Sequence, residues 1–103
     1  MIKVSVFYPY GAGKRFDMTY YLKQHIPLVR EKLGAACKSV AVDKGLAGEE
    51  PGSPPAFVAM CHLGFESVEA FQRAFGAHAE AIVADIPNYT DIQPTLQISE
   101  VRL

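Results

Sequence analysis

Long apolar runs are missing from this sequence. Nothing in its 103 residues approaches the roughly twenty consecutive apolar side chains that span a bilayer, so the chain reads as soluble. It also lacks an excess of either charge: eleven acidic residues against ten Lys and Arg leave a formal net charge of -1, and no overall field draws the chain to nucleic acid or to an anionic membrane. There is no tryptophan, and cysteine is scarce. Cys37 and Cys61 stand apart, with no CxxC spacing and no leader-like segment ahead of them, which predicts reduced thiols in a cytoplasmic protein rather than a disulfide. Histidine is scarce too. His25, His62 and His78 are widely separated and form no HExxH or paired spacing, so no metal site is predicted. The segment Gly11-Ala12-Gly13-Lys14-Arg15 has neither the GxxxxGK spacing nor a Ser or Thr after Lys14, and no GxGxxG occurs; no nucleotide cofactor is expected. Repeats and low-complexity segments are absent as well.

What is present is half hydrophobic and periodic enough to place every element. Ile2 to Tyr8 is β-branched and aromatic, and Pro9 to Gly13 ends it with turn residues, which predicts a first strand. Asp17 is a good N-cap for a helix running to Leu33, stopped by Gly34 and broken or kinked near Pro27, where a backbone donor is lost. Ala36 to Lys44 is a weaker strand, and Gly45 to Pro55 a loop. Ala56 to Phe65 is a third strand whose nearly continuous apolar character implies burial on both faces. Ser67 caps a second helix, with Val68, Phe71, Phe75, Ile82, Val83 and Ile86 as its apolar stripe, interrupted at Gly76 so that two short helices are an open alternative. Thr90 to Leu103 alternates as a half-buried final strand. The order β-α-β-β-α-β predicts a ferredoxin-like α+β fold, an antiparallel sheet with both helices on one face. The other face needs a cover, and a second copy laid sheet to sheet would make a homodimer.

Asp17 with Tyr20-Tyr21, His25 and Pro27-Leu28, the Phe-rich second helix, Asn88-Tyr89-Thr90 and the closing Gln97-Ile98-Ser99-Glu100-Val101 together resemble the EthD family, named for ethyl tert-butyl ether degradation. The resemblance runs from Ile2 to Val101. It implies the dimeric α+β barrel fold as one domain over residues 1–103, with pockets between sheet and helices. The wider superfamily includes cofactor-independent quinone-forming monooxygenases, lactone isomerases, haem-degrading enzymes and plain binding modules, so the pocket must decide among chemistries.

His25 is the candidate catalytic residue. It shares a helical face with Tyr21, Leu28 and Val29 and so points inward, where an imidazole must find a partner or a ligand. Two readings stand: a neutral base whose pKa is depressed by its apolar surroundings, or a core histidine bonded to a carbonyl freed by Pro27. Tyr21, one turn earlier, could wall a pocket or simply pack. Tyr20 is rotated off that face by about 140° on ideal helical geometry, which assigns it to packing or a dimer edge. Phe7 and Tyr8 occupy opposite faces of the first strand, and one of them looks at the helices. Phe75 and His78 follow Phe71 on the second helix, as pocket wall or as a plain aromatic stripe. Asp85, Tyr89 and Asp91 cluster ahead of the last strand, where a carboxylate could orient His25 and the Tyr89 phenol could cap a cavity, or where Asp85 and Asn88 make only local turn bonds. His62 reads as a satisfied strand residue. The expected substrate-binding set is Tyr21, Phe7, Tyr8, Phe75, His78 and Tyr89, around a small apolar or aromatic organic molecule. Three functions fit these residues: a catabolic oxidoreductase without a cofactor, a lactone-type isomerase, or a non-catalytic binding protein. A filled core with no pocket is the remaining alternative.

Overall fold

A computed structural model describes all 103 residues. Strand β1 (Ile2–Pro9) forms the centre of the sheet with β3 (Phe57–Phe65), and β2 (Ser39–Lys44) and β4 (Thr95–Glu100) are its edges, in the order β2-β3-β1-β4 with every pair antiparallel. Between strands lie a helical run from Met18 to Leu33 and a second made of α3 (Val68–Gly76), α4 (Ala79–Ala84) and a 3₁₀ turn (Ile86–Asn88). This is the ferredoxin-like arrangement that the element order implies. No helix is long and apolar enough to cross a membrane.

Local chemistry explains the boundaries. The Asp17 carboxylate accepts from the Tyr20 amide and the Ser67 hydroxyl from the Ala70 amide, so both helical runs start where a capping side chain satisfies a first-turn donor. Gly34 ends the first run with φ +60 and ψ -145, a conformation that strains any residue bearing a Cβ. Gly76 divides the second run, giving two short helices.

Pro27 does not break its helix. The chain passes from a single α turn, α1 (Met18–Tyr20), through a π turn (Tyr21–His25) directly into α2 (Ile26–Leu33), with the Ile26 amide donating to the Tyr21 carbonyl five residues back. A proline ring collides with the carbonyl four residues earlier and supplies no donor; one wider turn just before it lets the helix continue. The strand expected from Ala36 begins only at Ser39, because Gly34–Ala36 wind on as a 3₁₀ turn. The last strand begins at Thr95 rather than Thr90: Thr90 spends its hydroxyl on the Arg15 carbonyl and the Ile92 amide, and Pro94 has no amide to give to a ladder.

The core lies between sheet and helices. Val4, Tyr8, Cys61, Leu63 and Phe65 rise from the two central strands to meet Tyr21, Ile26, Val29 and Leu33 of the first run and Phe71 and Ile82 of the second. On the edge strand β4, Leu96 and Ile98 share this sheet face by their pairing with Val6 and Val4 and stay exposed. On the opposite face Phe7 packs against Phe57 at 5.1 Å and His62 at 6.3 Å, beside the half-buried Met60. His62 is satisfied there, as expected, by the Ser5 hydroxyl at 2.8 Å.

Candidate functional site: an imidazole at the end of an apolar cavity

His25 closes the π turn and is buried. Its ring lies between Tyr21, nearly parallel at 5.5 Å, and Tyr89 at 4.6 Å. Its partner is a carboxylate and not a carbonyl freed by Pro27: Nδ1 is 2.9 Å from Asp85 Oδ2. The other oxygen of Asp85 accepts from the Tyr20 hydroxyl at 2.7 Å and from the Asn88 side-chain amide at 2.9 Å. Burial works against the charged carboxylate, but the bonds from Tyr20, Asn88 and His25 outweigh it and hold Asp85 below the usual carboxylate range. An ionised carboxylate only accepts, so Nδ1 carries the proton, and in the neutral ring Nε2 is left as an acceptor. Burial lowers the His25 pKa, and the pull of Asp85 does not fully offset it. The ring is neutral at pH 7.

Nε2 has no partner within the protein, yet no sealed side-chain nitrogen or oxygen lacks one; this atom faces space. The space is a cavity of about 150 Å³ between sheet and helices, and no Lys, Arg, Asp or Glu lines it. Its ends differ. His25, Tyr8, Tyr21 and Cys61 stand at one, whereas Val29 and Leu33 follow His25 along α2 and Val4 and Leu63 lie deeper in the sheet, so the far end is purely aliphatic and aromatic. The wall between α4 and β4 is apolar but open: Val83 and Leu96 line the cavity and remain 53% and 47% exposed.

Around the polar end the phenols are joined. The Tyr8 and Tyr89 hydroxyls are 2.7 Å apart, and the Tyr21 hydroxyl interacts with both the Tyr8 hydroxyl and the Cys61 thiol. Burial pushes the pKa of Tyr8, Tyr21 and Tyr89 upward, and that of the Cys61 thiol up to about 11. All four are therefore neutral at pH 7 and able to donate. No group of three His, Cys, Asp or Glu side chains converges where a metal ion could be held.

Of the residues singled out from sequence, His25, Tyr21, Tyr8 and Phe75 line the cavity. Tyr89 does not; it packs behind His25 and Tyr8, fully buried, and steadies both. Phe7 is on the opposite sheet face and has no access to the cavity, because its neighbour Tyr8 takes the inward parity. His78 is half-buried outside it, its carbonyl receiving the Ile82 amide at the start of α4. Asp91 bonds the Arg15 amide instead of approaching His25. Tyr20 packs against Tyr89, one of the two places the sequence allows it, and its hydroxyl also reaches the carboxylate that orients His25. The 140° rotation assumes an unbroken α-helix, whereas a π turn, bonded to the fifth residue along, brings residues five apart such as Tyr20 and His25 to the same side.

One pH dependence comes from the depressed His25 pKa. Protonation in the unfolded chain occurs near the ordinary imidazole value of 6.5, above the folded one, so the stabilising preference for the neutral ring is complete above pH 6.5 and is lost as pH falls from there through the folded pKa. The unfolding free energy should decline on acidification below pH 6.5. In His25→Gln that part of the decline should vanish, as read from urea titrations across pH 4.5 to 8 at roughly half-unit steps.

A ferredoxin-like sheet with helices on one face and a buried, carboxylate-oriented imidazole over an apolar cavity defines a compact α+β class built around an internal pocket. Residues 10–93 match the EthD domain, and the chain belongs to the EthD family. It is similar over 99% of its length, and over 92% of the other chain, to an EthD-like protein from Ralstonia eutropha JMP134, with 54% identity and a TM-score of 0.96. An ethyl tert-butyl ether degradation (EthD) family protein from Bacillus halodurans C-125 has 22% identity and a TM-score of 0.75 over 99% of both chains. A protein described as a putative monooxygenase from Shewanella loihica PV-4 shares the fold at 10% identity and a TM-score of 0.62, over 99% of this chain and 94% of the other. No curated protein shows a significant match to the chain.

Proposed function

We propose that this EthD-family protein acts on a small apolar or aromatic organic molecule held in the cavity, with His25 as general base, as a catabolic oxidoreductase that needs no bound cofactor. One observation supports this reading above the others: an Asp85-oriented imidazole whose free Nε2 faces an otherwise apolar cavity. A neutral imidazole takes a proton from an acidic O–H or an activated C–H next to a carbonyl; Asp85 stabilises the imidazolium that results, and the neutral Tyr21 phenol donates to the oxyanion. The apolar wall keeps water from the anion. Dioxygen then oxidises the anion at a methylene carbon: two hydrogens leave the carbon, one oxygen atom enters as a carbonyl and the other departs as water. The description of the Shewanella loihica relative as a putative monooxygenase accords with this step.

The test is a substrate screen of the purified protein under air and under argon, with ¹⁸O₂ and mass spectrometry. Product carrying one labelled oxygen and formed only under air is the expected result. Product formed equally under argon, with the proton returned to another carbon, would make the protein a lactone-type isomerase using the same base. Ligand retention without product would make it a binding protein.

The second copy belongs to the same proposal. Phe7, Phe57 and Met60 leave an apolar patch on the sheet face without helices, and two such faces laid together bury it. Phe7→Glu places a charge at its centre and should convert a dimer to a monomer in analytical ultracentrifugation at about 10 μM; an unchanged sedimentation coefficient would reject this face as the interface.

A further inference from the structure

The cavity restricts its occupant more narrowly than size and greasiness alone. Two features of one end and two of the whole act together. Asp85 fixes the proton of His25 on Nδ1, so the atom presented to a ligand is a lone pair on Nε2. The Tyr8 hydroxyl is already paired with Tyr89, so that phenol has a standing partner and Nε2 does not. No cationic side chain lines any part of the cavity, and an anionic headgroup taken out of water there would lose its hydration without a countercharge. The volume of about 150 Å³ is that of a cavity able to take one benzene-sized ring.

We infer that the ligand of this site is a neutral, single-ring molecule bearing a hydroxyl, a phenol or a cyclic enol, bound with its O–H donated to His25 Nε2 and the rest of its ring directed toward Leu33 and Phe71. This deepens the functional reading above and rests on it. The orientation is set by the polarity of the cavity: Tyr8, Tyr21 and His25 meet at one end, and the helix carries Val29 and then Leu33 away from it. A substituent opposite the hydroxyl falls among aliphatic side chains, and a carboxylate there has nothing to pair with. The hydroxyl proton is also the proton that the base removes, so recognition and the first chemical step use the same atom.

Four probes test the inference on the wild-type protein by ¹H–¹⁵N NMR titration at pH 7.5: p-cresol, p-xylene, 4-methylbenzoate and 2-naphthol. The first two have the same shape and differ in one hydroxyl. Cresol should bind about tenfold more tightly than xylene, the factor that one well-placed hydrogen bond supplies. The benzoate should show no saturable binding, and naphthol should bind more weakly than cresol. In His25→Leu the order of cresol and xylene should invert. Xylene binding as tightly as cresol would overturn the hydroxyl inference while leaving an apolar ligand site intact. Benzoate or naphthol matching cresol would overturn the neutral or single-ring part in the same way. If none of the four perturbs residues lining the cavity, the ligand site itself falls and the inference with it. The wild-type comparison decides even if His25→Leu fails to fold.

Discussion

His25→Ala is expected to lower turnover by a factor of about 10² to 10⁴, the usual contribution of a positioned general base. The expectation has a structural side that makes it testable. Removing the ring takes one bond from Asp85 but leaves those from Tyr20 and Asn88, so the carboxylate keeps partners and the turn that carries it should stand. The vacated space adjoins an existing cavity, and no ring is left strained. Circular dichroism and sedimentation should therefore report a folded protein while the rate collapses. Unfolding of the variant, with no activity found in wild type either, would instead make His25 a packing residue that happens to be well bonded. A rate reduced less than about tenfold would also reject it as the base, since even modest general catalysis exceeds that.

Tyr89→Ala should have the largest effect on stability, about 3 to 5 kcal/mol in urea unfolding, the range found for deleting a buried aromatic ring. Tyr89 is fully buried and meets Tyr8, Phe16, Tyr21 and His25 at centroid distances between 4.6 and 6.0 Å. Its loss leaves a void among four rings and strips the Tyr8 hydroxyl of its 2.7 Å partner. Tyr89→Phe separates the two contributions. It keeps the ring, loses only the hydroxyl pair, and should cost about 1 kcal/mol. Equal losses in the two variants would place the effect in the hydrogen bond and not in packing.

Much of this is legible in the chain. Asp17 and Ser67 cap both helical runs, Gly34 ends one and Gly76 divides the other, because caps and stops are local chemistry read from single residues. Spacing alone turns His25 and Tyr21 inward, and the cluster of Asp85 and Asp91 offers the imidazole a carboxylate without saying which of the two it is. What is not legible depends on distances between elements or on departures from ideal geometry. The parity of β1 decides between Phe7 and Tyr8, and a strand pattern apolar on both faces carries no sign of which face meets the helices. His78 follows Phe71 at helical spacing only if the second helix is unbroken; the division near Gly76 removes the basis for extending that face. Tyr20 escapes the ideal helical count for a related reason, since the π turn changes the angle between successive side chains. The proline that forces this turn is visible in the sequence; the form of the accommodation is not, because a kink and a widened turn satisfy the same local conflict.

The placement of Tyr8 has a wider meaning. It is held by pairing with Ala59 on one side, and the register shifts immediately afterwards, between Tyr8 and Pro9. Side chains alternate along a strand, so with the neighbouring strands unmoved one residue gained upstream of Tyr8 would put Phe7 in its place and one lost would put Pro9 there, and either would deliver the phenol to the outer face. The hydroxyl chemistry of the cavity is thus phase-locked to the pleat of a central strand. Variation in this family can change apolar walls one side chain at a time, but insertions or deletions in β1 would rewrite the polar end and the outer surface in a single event.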